Sequence, residues 1–174
     1  MEQPLNFEKW IEQNRESLKP PVGNKCIWPD REFIVMMVGG PNSRTDFHVN
    51  AGEEYFQQMQ GDMHLVVINP QGKMEKIQIR EGEIYLLPAN TPHSPQRGPG
   101  TLGLVIERRR RAGELDALQW YCEKCTHKLY EERFQLTNIE TQFPAVFERY
   151  YGSDHVNCRQ CGHKNGRTWS LSEN

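Results

Sequence analysis

Short segments rich in apolar residues alternate with turn sequences between residues 33 and 107. Seven of these segments are predicted strands: 33–38, 44–49, 54–60, 63–69, 75–80, 83–87 and 102–107. Glycine, proline, asparagine and aspartate separate them, as in Gly39-Gly40-Pro41-Asn42. Short strands at this spacing predict an all-β sandwich or barrel.

Helices are predicted on both sides of this β region. Residues 6–18 place apolar side chains near one helical face, with Asn6 as the N-cap, and the proline-rich segment 19–24 ends the helix. Farther along, residues 128–136 are predicted as another strand and Pro144 as the start of a second helix. We expect a barrel unit at 1–111 and an extension at 112–174, divided within residues 112–118.

Composition and charge exclude several classes of protein. The 174 residues are 36% hydrophobic, and no apolar run approaches the ~20 residues that span a bilayer. The first residues lack a basic segment followed by an apolar one, so a secretion signal is not expected. The net charge of -2 gives no global reason to bind nucleic acid. We therefore expect a cytoplasmic protein that binds neither membranes nor nucleic acid.

A single basic run stands out against this balanced charge. Arg108 to Arg111 follow a predicted strand and are flanked by Glu107, Glu114 and Asp116. The favoured interpretation is a solvated turn, and a phosphate site is the alternative.

Four of the five cysteines form two C-x-x-C pairs, Cys122 with Cys125 and Cys158 with Cys161. Without a secretion signal, such pairs are more often metal ligands than disulfides. Each pair presents two thiolates from one turn, so two pairs complete a tetrahedral site for iron or zinc. We favour a structural metal because a redox-active C-x-x-C normally occurs singly. Cys26 is predicted to be a small buried residue.

Candidate ligands for a second metal lie within the β region. Arg44, Asp46 and His48 alternate with apolar residues, so they share one face of a predicted strand, and Glu54 begins the next strand. His93 lies on a predicted turn after another strand. Two histidines and one glutamate form the facial triad of non-haem Fe(II) oxygenases, which leaves coordination positions open. The alternative is that these histidines are ordinary hydrogen-bonded residues.

The spacing of these residues resembles the two cupin motifs. The matching patterns are Gly40-x5-Asp46-x-His48-x5-Glu54-x6-Gly61 and Gly82-x5-Pro88-x-Asn90-x2-His93-x3-Arg97. Asp46 stands where cupins usually have a first histidine, so four ligands become three. The resemblance implies a mainly β fold, a single cupin (double-stranded β-helix or jelly-roll barrel) with an N-terminal helix and a small C-terminal four-Cys metal appendage.

Longer segments narrow the resemblance to one family. Segments 19–24, 38–42, 44–46, 93–97 and 105–108, together with the paired cysteines, resemble the bacterial-type 3-hydroxyanthranilate 3,4-dioxygenases over nearly the whole chain. The resemblance implies that the chain opens the ring of 3-hydroxyanthranilate with O₂. The product, 2-amino-3-carboxymuconate semialdehyde, cyclises to quinolinate in the kynurenine pathway of tryptophan degradation and NAD synthesis.

The family resemblance also implies what the metal ligands are. His48, Glu54 and His93 match the ligands of a catalytic Fe(II), and Glu54 also contacts the substrate. The four cysteines match a rubredoxin-like iron site, for which zinc is the alternative.

Other matches imply how the substrate is held. Arg44 and Arg97 match the arginines that bind its carboxylate, and Glu107 matches the residue that takes its hydroxyl proton. An ion pair with a neighbouring arginine is the alternative for Glu107. Asp46 is expected to orient an arginine or a ligand imidazole. Asn24 is either part of a lid over the mouth or a turn residue.

The expected partners are therefore 3-hydroxyanthranilate, O₂ and a second copy of the chain in a homodimer. One alternative is another cupin metalloenzyme, either an isomerase or a different small-molecule dioxygenase. A second alternative is a metal-sensing or nucleic-acid-binding module, based on the cysteine pairs and the basic run.

Overall fold

The structure, a computed structural model, describes residues 3–20, 23–137 and 139–168. Pro21 and Val22 of the proline-rich segment lie outside the described residues. Within those residues the chain forms two α-helices, α1 (Phe7–Gln13) and α2 (Ile139–Tyr151), and eleven strands. The strands are β1 (Asn24–Cys26), β2 (Phe33–Gly39), β3 (Phe47–Val49), β4 (Glu54–Gln60), β5 (Met63–Ile68), β6 (Met74–Ile79), β7 (Ile84–Leu87), β8 (His93–Arg97), β9 (Leu102–Arg108), β10 (Asp116–Tyr121) and β11 (Lys128–Phe134).

The strands pair antiparallel in two sheets that enclose an apolar core. The first sheet has the order β1-β2-β9-β4-β7, and the second has the order β11-β10-β3-β8-β5-β6. Buried side chains from both sheets meet in one cluster: Phe56, Met63, Leu65, Val67, Ile79, Leu87 and Val105. The expected mainly β, cupin-like barrel is confirmed, as are its N-terminal helix and four-Cys appendage.

The amino-terminal helix is shorter than the predicted span of 6–18. Asn6 caps α1 as predicted, since its side chain accepts a hydrogen bond of 2.9 Å from the Lys9 N–H. A 3₁₀ turn at Arg15–Leu18 replaces the rest of the predicted helix. Among the described residues, no helix is both long and apolar enough to cross a membrane.

The second helix begins earlier than Pro144, so that predicted start is wrong. Pro144 lies inside α2, where its missing N–H removes one hydrogen bond of the helical ladder. Burial against the second sheet offsets that loss, because Phe143, Val146 and Tyr150 pack on Trp120 of β10. The helix therefore depends on tertiary packing more than on its local sequence.

Two strands next to the site differ from their predictions. β3 begins only at Phe47, and the segment before it is fixed by the Asn42 side chain, which donates to the Pro95 carbonyl at 2.8 Å. His93 begins strand β8 and does not lie on a turn. β8 escapes prediction because Pro95 interrupts it and only pairing with β5 makes it a strand.

Strand β10 connects the barrel to the cysteine-rich segment. It pairs with β3 through Ala117, Leu118 and Gln119, and with β11 on its other side. The proposed division into residues 1–111 and 112–174 stays a prediction.

The basic run Arg108 to Arg111 was predicted to be a solvated turn, and for Arg110 that prediction is wrong. The Arg110 side chain is only 6% exposed, because it turns inward toward Glu107 and Asp116. Arg108 instead pairs with Glu114 at 2.6 Å near the surface.

Candidate metal centre and active-site cavity

The histidines and glutamate of the predicted triad converge between the two sheets. His48 on β3, Glu54 on β4 and His93 on β8 are all buried, and their candidate ligand atoms lie within 4.8 Å of one another. Glu54 Oε1 is 3.7 Å from His48 Nδ1, and Glu54 Oε2 is 3.4 Å from His93 Nε2. One ion can therefore be reached by all three side chains.

The remaining nitrogen of each imidazole is held by the protein. His48 Nε2 lies 2.6 Å from Asp116 Oδ2, and His93 Nδ1 lies 3.0 Å from the Thr91 carbonyl. An acceptor on one ring nitrogen keeps the proton there and leaves the other lone pair free for a metal. This donor set fits a divalent cation with open coordination positions.

The charges within the triad also favour a cation. Burial alone would raise the pKa of Glu54, but His93 and His48, helped by Asn50, lower it to about 2. Against the effect of burial, Glu54 raises the pKa of His93. A metal ion bound by Glu54 and the two histidines would supply the positive charge that otherwise comes from protonated histidine.

A cavity of about 110 Å³ opens onto the triad. Its size is comparable to the ~150 Å³ cavity that accepts a benzene ring, so it fits a small aromatic molecule. Apolar side chains from both sheets form much of its wall: Met36, Val38, Phe56, Pro95 and Val105. Asn24 of β1 also lines the cavity. Cys26 on the same strand is half-buried, so the prediction that it is a buried residue is wrong.

Both predicted arginines face this cavity, but their surroundings differ. Arg44 is paired with Asp46, with 3.0 Å between Nε and Oδ1. Arg97 is buried, and its Nη1 donates to the neutral Gln58 side chain at 3.0 Å. Within the described part of the chain, Arg97 Nε has no hydrogen-bond partner. Burial lowers the pKa of Arg97 to about 10, and no described residue forms an ion pair with this guanidinium.

Glu107 lies on β9 directly across from Glu54 on β4. Its carboxylate accepts hydrogen bonds from Asn50 at 2.7 Å and from Arg110 at 2.8 Å. Burial and the nearby Glu54 raise the pKa of Glu107, and Arg110 opposes both effects. The residue therefore lines the cavity and also makes the ion pair that had been its alternative role.

Four residues of the site were not identified from the sequence: Asn50, Arg110, Asp116 and Phe143. Phe143 of α2 lines the cavity, with its ring centroid 5.4 Å from that of His48 and 5.7 Å from the Arg44 guanidinium carbon. The sequence signal for Asp116 was a carboxylate at the start of an apolar strand. That signal could not show that Asp116 pairs with His48, which lies 68 residues earlier in the chain.

The four paired cysteines form a separate cluster. Their sulfur atoms lie within 4.8 Å of one another, with 3.5 Å between Cys122 and Cys161 and 3.6 Å between Cys125 and Cys158. A tetrahedral metal with bonds of ~2.3 Å requires sulfur separations of about 3.8 Å. All five cysteines of the chain, each within the described ranges, are free thiols.

The two cysteine turns have the same backbone geometry. In each, the N–H four residues after the first cysteine donates to that cysteine's carbonyl at 2.8 Å, from Thr126 in one turn and Gly162 in the other. Both donors have a positive φ, 59° and 73° respectively, which closes the turn around the thiols. This repeated geometry fits a closed metal site made of thiolates.

The two-sheet fold and the His-Glu-His triad fit the class of metal-dependent cupins. Comparison with known proteins narrows this class. The chain belongs to the 3-hydroxyanthranilic acid dioxygenase family, whose model matches residues 1–151. It is therefore an enzyme, a dioxygenase.

Named relatives agree with this family. A 3-hydroxyanthranilate 3,4-dioxygenase of Xanthomonas euvesicatoria pv. vesicatoria is 56% identical over 161 residues, which cover 92% of this chain and 90% of that protein. One from Bacillus cereus is 45% identical over 162 residues, with the same coverage of both chains. A cupin-2 domain-containing protein from Shewanella frigidimarina has a similar structure, with a TM-score of 0.47, 16% identity and coverage of 61% of this chain and 94% of that one.

Proposed function

We propose that this cavity binds 3-hydroxyanthranilate and that the enzyme opens the ring with O₂ to give 2-amino-3-carboxymuconate semialdehyde, the precursor of quinolinate in the kynurenine pathway. The observation that carries this proposal is Arg97, a buried cation without an acidic partner in the described chain, beside a metal triad. A small aromatic carboxylate supplies both the missing anion and the ring that the cavity fits.

Each site residue has a role in this reaction. His48, Glu54 and His93 would hold Fe(II), which would supply a Lewis acid for the substrate hydroxyl and electrons for the activation of O₂. Arg97 and Arg44 bind the substrate carboxylate, because a planar guanidinium donates two parallel hydrogen bonds and so fixes the orientation of the ring.

The proton of the substrate hydroxyl passes to Glu107. A phenol has a pKa near ~10, so it needs both the metal's charge and a nearby carboxylate to ionise at neutral pH. Glu107 is placed for this because its carboxylate lies on the cavity wall next to Glu54. Asp46 keeps the Arg44 guanidinium in position, and Phe143 excludes water from one side of the cavity.

The main alternative is another cupin metalloenzyme, an isomerase or a different dioxygenase. Such an enzyme would have no need for a buried arginine, beside the metal triad, that lacks an acidic partner among the described residues. An anaerobic experiment separates the two. The protein is loaded with Fe(II), mixed with 3-hydroxyanthranilate, and then exposed to O₂. We expect the ring-opened product to appear by absorbance, in proportion to bound iron, and absence of that product would refute the proposal.

We propose that the cysteine cluster binds iron or zinc and serves as a structural staple. Its ligands come from the segment after β10 and from the segment after α2, so a bound metal joins both. A closed thiolate tetrahedron has no position for O₂. Its free thiols also suit a reducing compartment, in keeping with a cytoplasmic enzyme.

Replacing Cys125 and Cys161 with serine is expected to remove this metal and to lower Tm by about 5–10 °C. That shift corresponds to about 2–3 kcal/mol at ~2–4 °C per kcal/mol for a chain of this size. Activity per catalytic iron should survive at moderate temperature. Metal analysis and thermal melts measure both effects, with Cys26→Ser as the control. A folded double variant with full catalytic iron and no turnover would contradict the structural role.

We propose that a second copy of the chain covers the outer face of the first sheet. Four apolar side chains align across this face, one from each of β2, β9, β4 and β7: Val35, Ile106, Tyr55 and Leu86. Leu86 is 54% exposed and its neighbour Ile84 is 63% exposed. Apolar patches of this kind mark protein interfaces.

Replacing Leu86 with glutamate is therefore expected to convert a dimer to a monomer. Light scattering coupled to size-exclusion chromatography measures the mass directly. Gln71→Glu adds the same charge on the exposed turn between β5 and β6 and should leave the dimer intact. A dimeric Leu86→Glu protein would place the interface elsewhere.

A further inference from the structure

The Arg110 side chain contacts two carboxylates that belong to different parts of the active site. Its Nε and Nη2 donate to the two oxygens of Asp116 at 2.7 and 2.6 Å. Its Nη1 donates to Glu107 Oε1 at 2.8 Å. Three of its five N–H groups are thus used on two acids, and the side chain is only 6% exposed.

Each of these acids acts on a different part of the proposed reaction. Asp116 accepts the Nε2 proton of His48, which leaves Nδ1 of that ring facing Glu54. Glu107 lines the cavity on the wall beside Glu54. One guanidinium therefore joins the support of a candidate metal ligand to the candidate proton acceptor.

We infer that Arg110 is a positioning residue that fixes His48, through Asp116, and Glu107 in a single arrangement. The inference rests on the proposed function for the role of Glu107, whereas its effect on His48 concerns metal binding alone. The planar guanidinium is required for this role, because two of its N–H groups donate side by side to Asp116 while a third donates to Glu107. The ammonium of a lysine has no such fork.

The charge of Arg110 matters as much as its shape. Glu54, Glu107 and Asp116 bring three carboxylates into a small buried volume. Without Arg110, Asp116 would lose two charge-assisted hydrogen bonds and Glu107 one, and both side chains would be free to take other rotamers. The Glu107 carboxylate would still have Asn50, but His48 would lose its fixed acceptor.

Arg110→Gln and Arg110→Lys test this inference, with Arg108→Gln as the matched control. Arg108 makes a comparable two-bond pair with Glu114 in the same segment but does not contact Asp116 or Glu107. Two properties are measured: the affinity for Co(II) of protein whose catalytic metal has been removed and whose cysteine site is filled, and kcat and KM for 3-hydroxyanthranilate after loading with Fe(II).

Both Arg110 variants are expected to bind Co(II) ~10–100-fold more weakly, as is typical when a residue supporting a metal ligand is lost. The value of kcat should fall by a similar factor while KM changes less than threefold, because Arg110 is not among the residues that line the cavity. Guanidinium ion at low millimolar concentration should partly restore kcat in Arg110→Ala, and sodium ion should not. Arg108→Gln should match the wild type in both measurements.

The double variant Arg110→Gln with Asp116→Asn guards against simple misfolding, since it removes the cation and one of its anions together. Its loss of Co(II) affinity should be smaller than the product of the two single effects. Multiplicative effects, or Co(II) affinity and kcat within twofold of wild type in Arg110→Gln, would overturn the inference. Wild-type activity in Arg110→Lys would also overturn it, because charge alone would then suffice. If the wild-type enzyme binds Co(II) but does not consume 3-hydroxyanthranilate when it is loaded with Fe(II), the proposed function is refuted. The inference that Arg110 supports metal binding through Asp116 and His48 would still hold.

Discussion

Replacing His93 with alanine is expected to lower kcat by at least ~1000-fold while the metal at the cysteine cluster stays bound. The loss corresponds to about 4 kcal/mol, within the several kcal/mol that a catalytic metal contributes. In the proposed centre, His93 is one of three protein ligands and is held by the Thr91 carbonyl, so an alanine would leave only His48 and Glu54 to bind the ion. The cysteine cluster has its own ligands and should be unaffected.

Metal analysis per chain and single-turnover kinetics measure the two halves of this result. The wild type should carry two metals and His93→Ala one. His64→Ala is the control, because His64 lies on β5 outside the cavity and should retain both metals and full activity. Loss of both metals together would show that the two sites depend on each other, and retained activity would remove His93 from the catalytic centre.

Local sequence predicted the strands whose apolar pattern matches their burial. β5 illustrates this, since the apolar Met63 and Leu65 are buried and the polar His64 between them is half-buried, and the turn at Gly61 comes just before the strand. β8 could not be predicted in the same way. Its sequence, His93 to Arg97, contains a proline and polar residues, and it becomes a strand only by pairing with Val67 and its neighbours on β5.

A similar limit applies to the candidate site. The triad residues lie at spacings that resemble a known motif, so the sequence alone pointed to them. The groups that hold the triad in place, Asp116 for His48 and Arg110 behind Asp116, come from a strand and a turn more than 60 residues away. Long-range contacts of this kind have no local sequence signal. Arg110, for example, was predicted only as one of four arginines in a solvated turn.

The C-terminal segment shows the same limit at the level of packing. Its cysteine spacing predicted a structural appendage, yet α2 also places Phe143 against His48 and forms part of the cavity wall. The Tyr151 hydroxyl at the end of α2 lies 2.7 Å from the Thr45 hydroxyl, just before β3. The appendage therefore supports the site as well as the fold.

Replacing Arg97 with alanine is expected to reduce kcat/KM for 3-hydroxyanthranilate by tens to thousands of times without reducing Tm. Loss of a buried charged partner typically costs ~2–5 kcal/mol of binding, and each ~1.4 kcal/mol is a factor of ten. In the free protein, however, Arg97 is a buried cation whose side-chain partner among the described residues is the neutral Gln58. Its removal relieves an unfavourable burial, so Tm should stay constant or rise.

The opposite signs of these two effects make the result specific. A residue that merely supports the fold would lower stability and activity together, whereas a binding residue held ready for an anion lowers activity alone. Arg149→Ala removes an exposed arginine paired with Glu132 and should change neither quantity appreciably. Fe(II) affinity should be nearly unchanged in Arg97→Ala, because Arg97 is not among the metal ligands. An unchanged kcat/KM would eliminate the carboxylate-binding role, and the anion that the buried guanidinium attracts would then have to be sought in a different substrate.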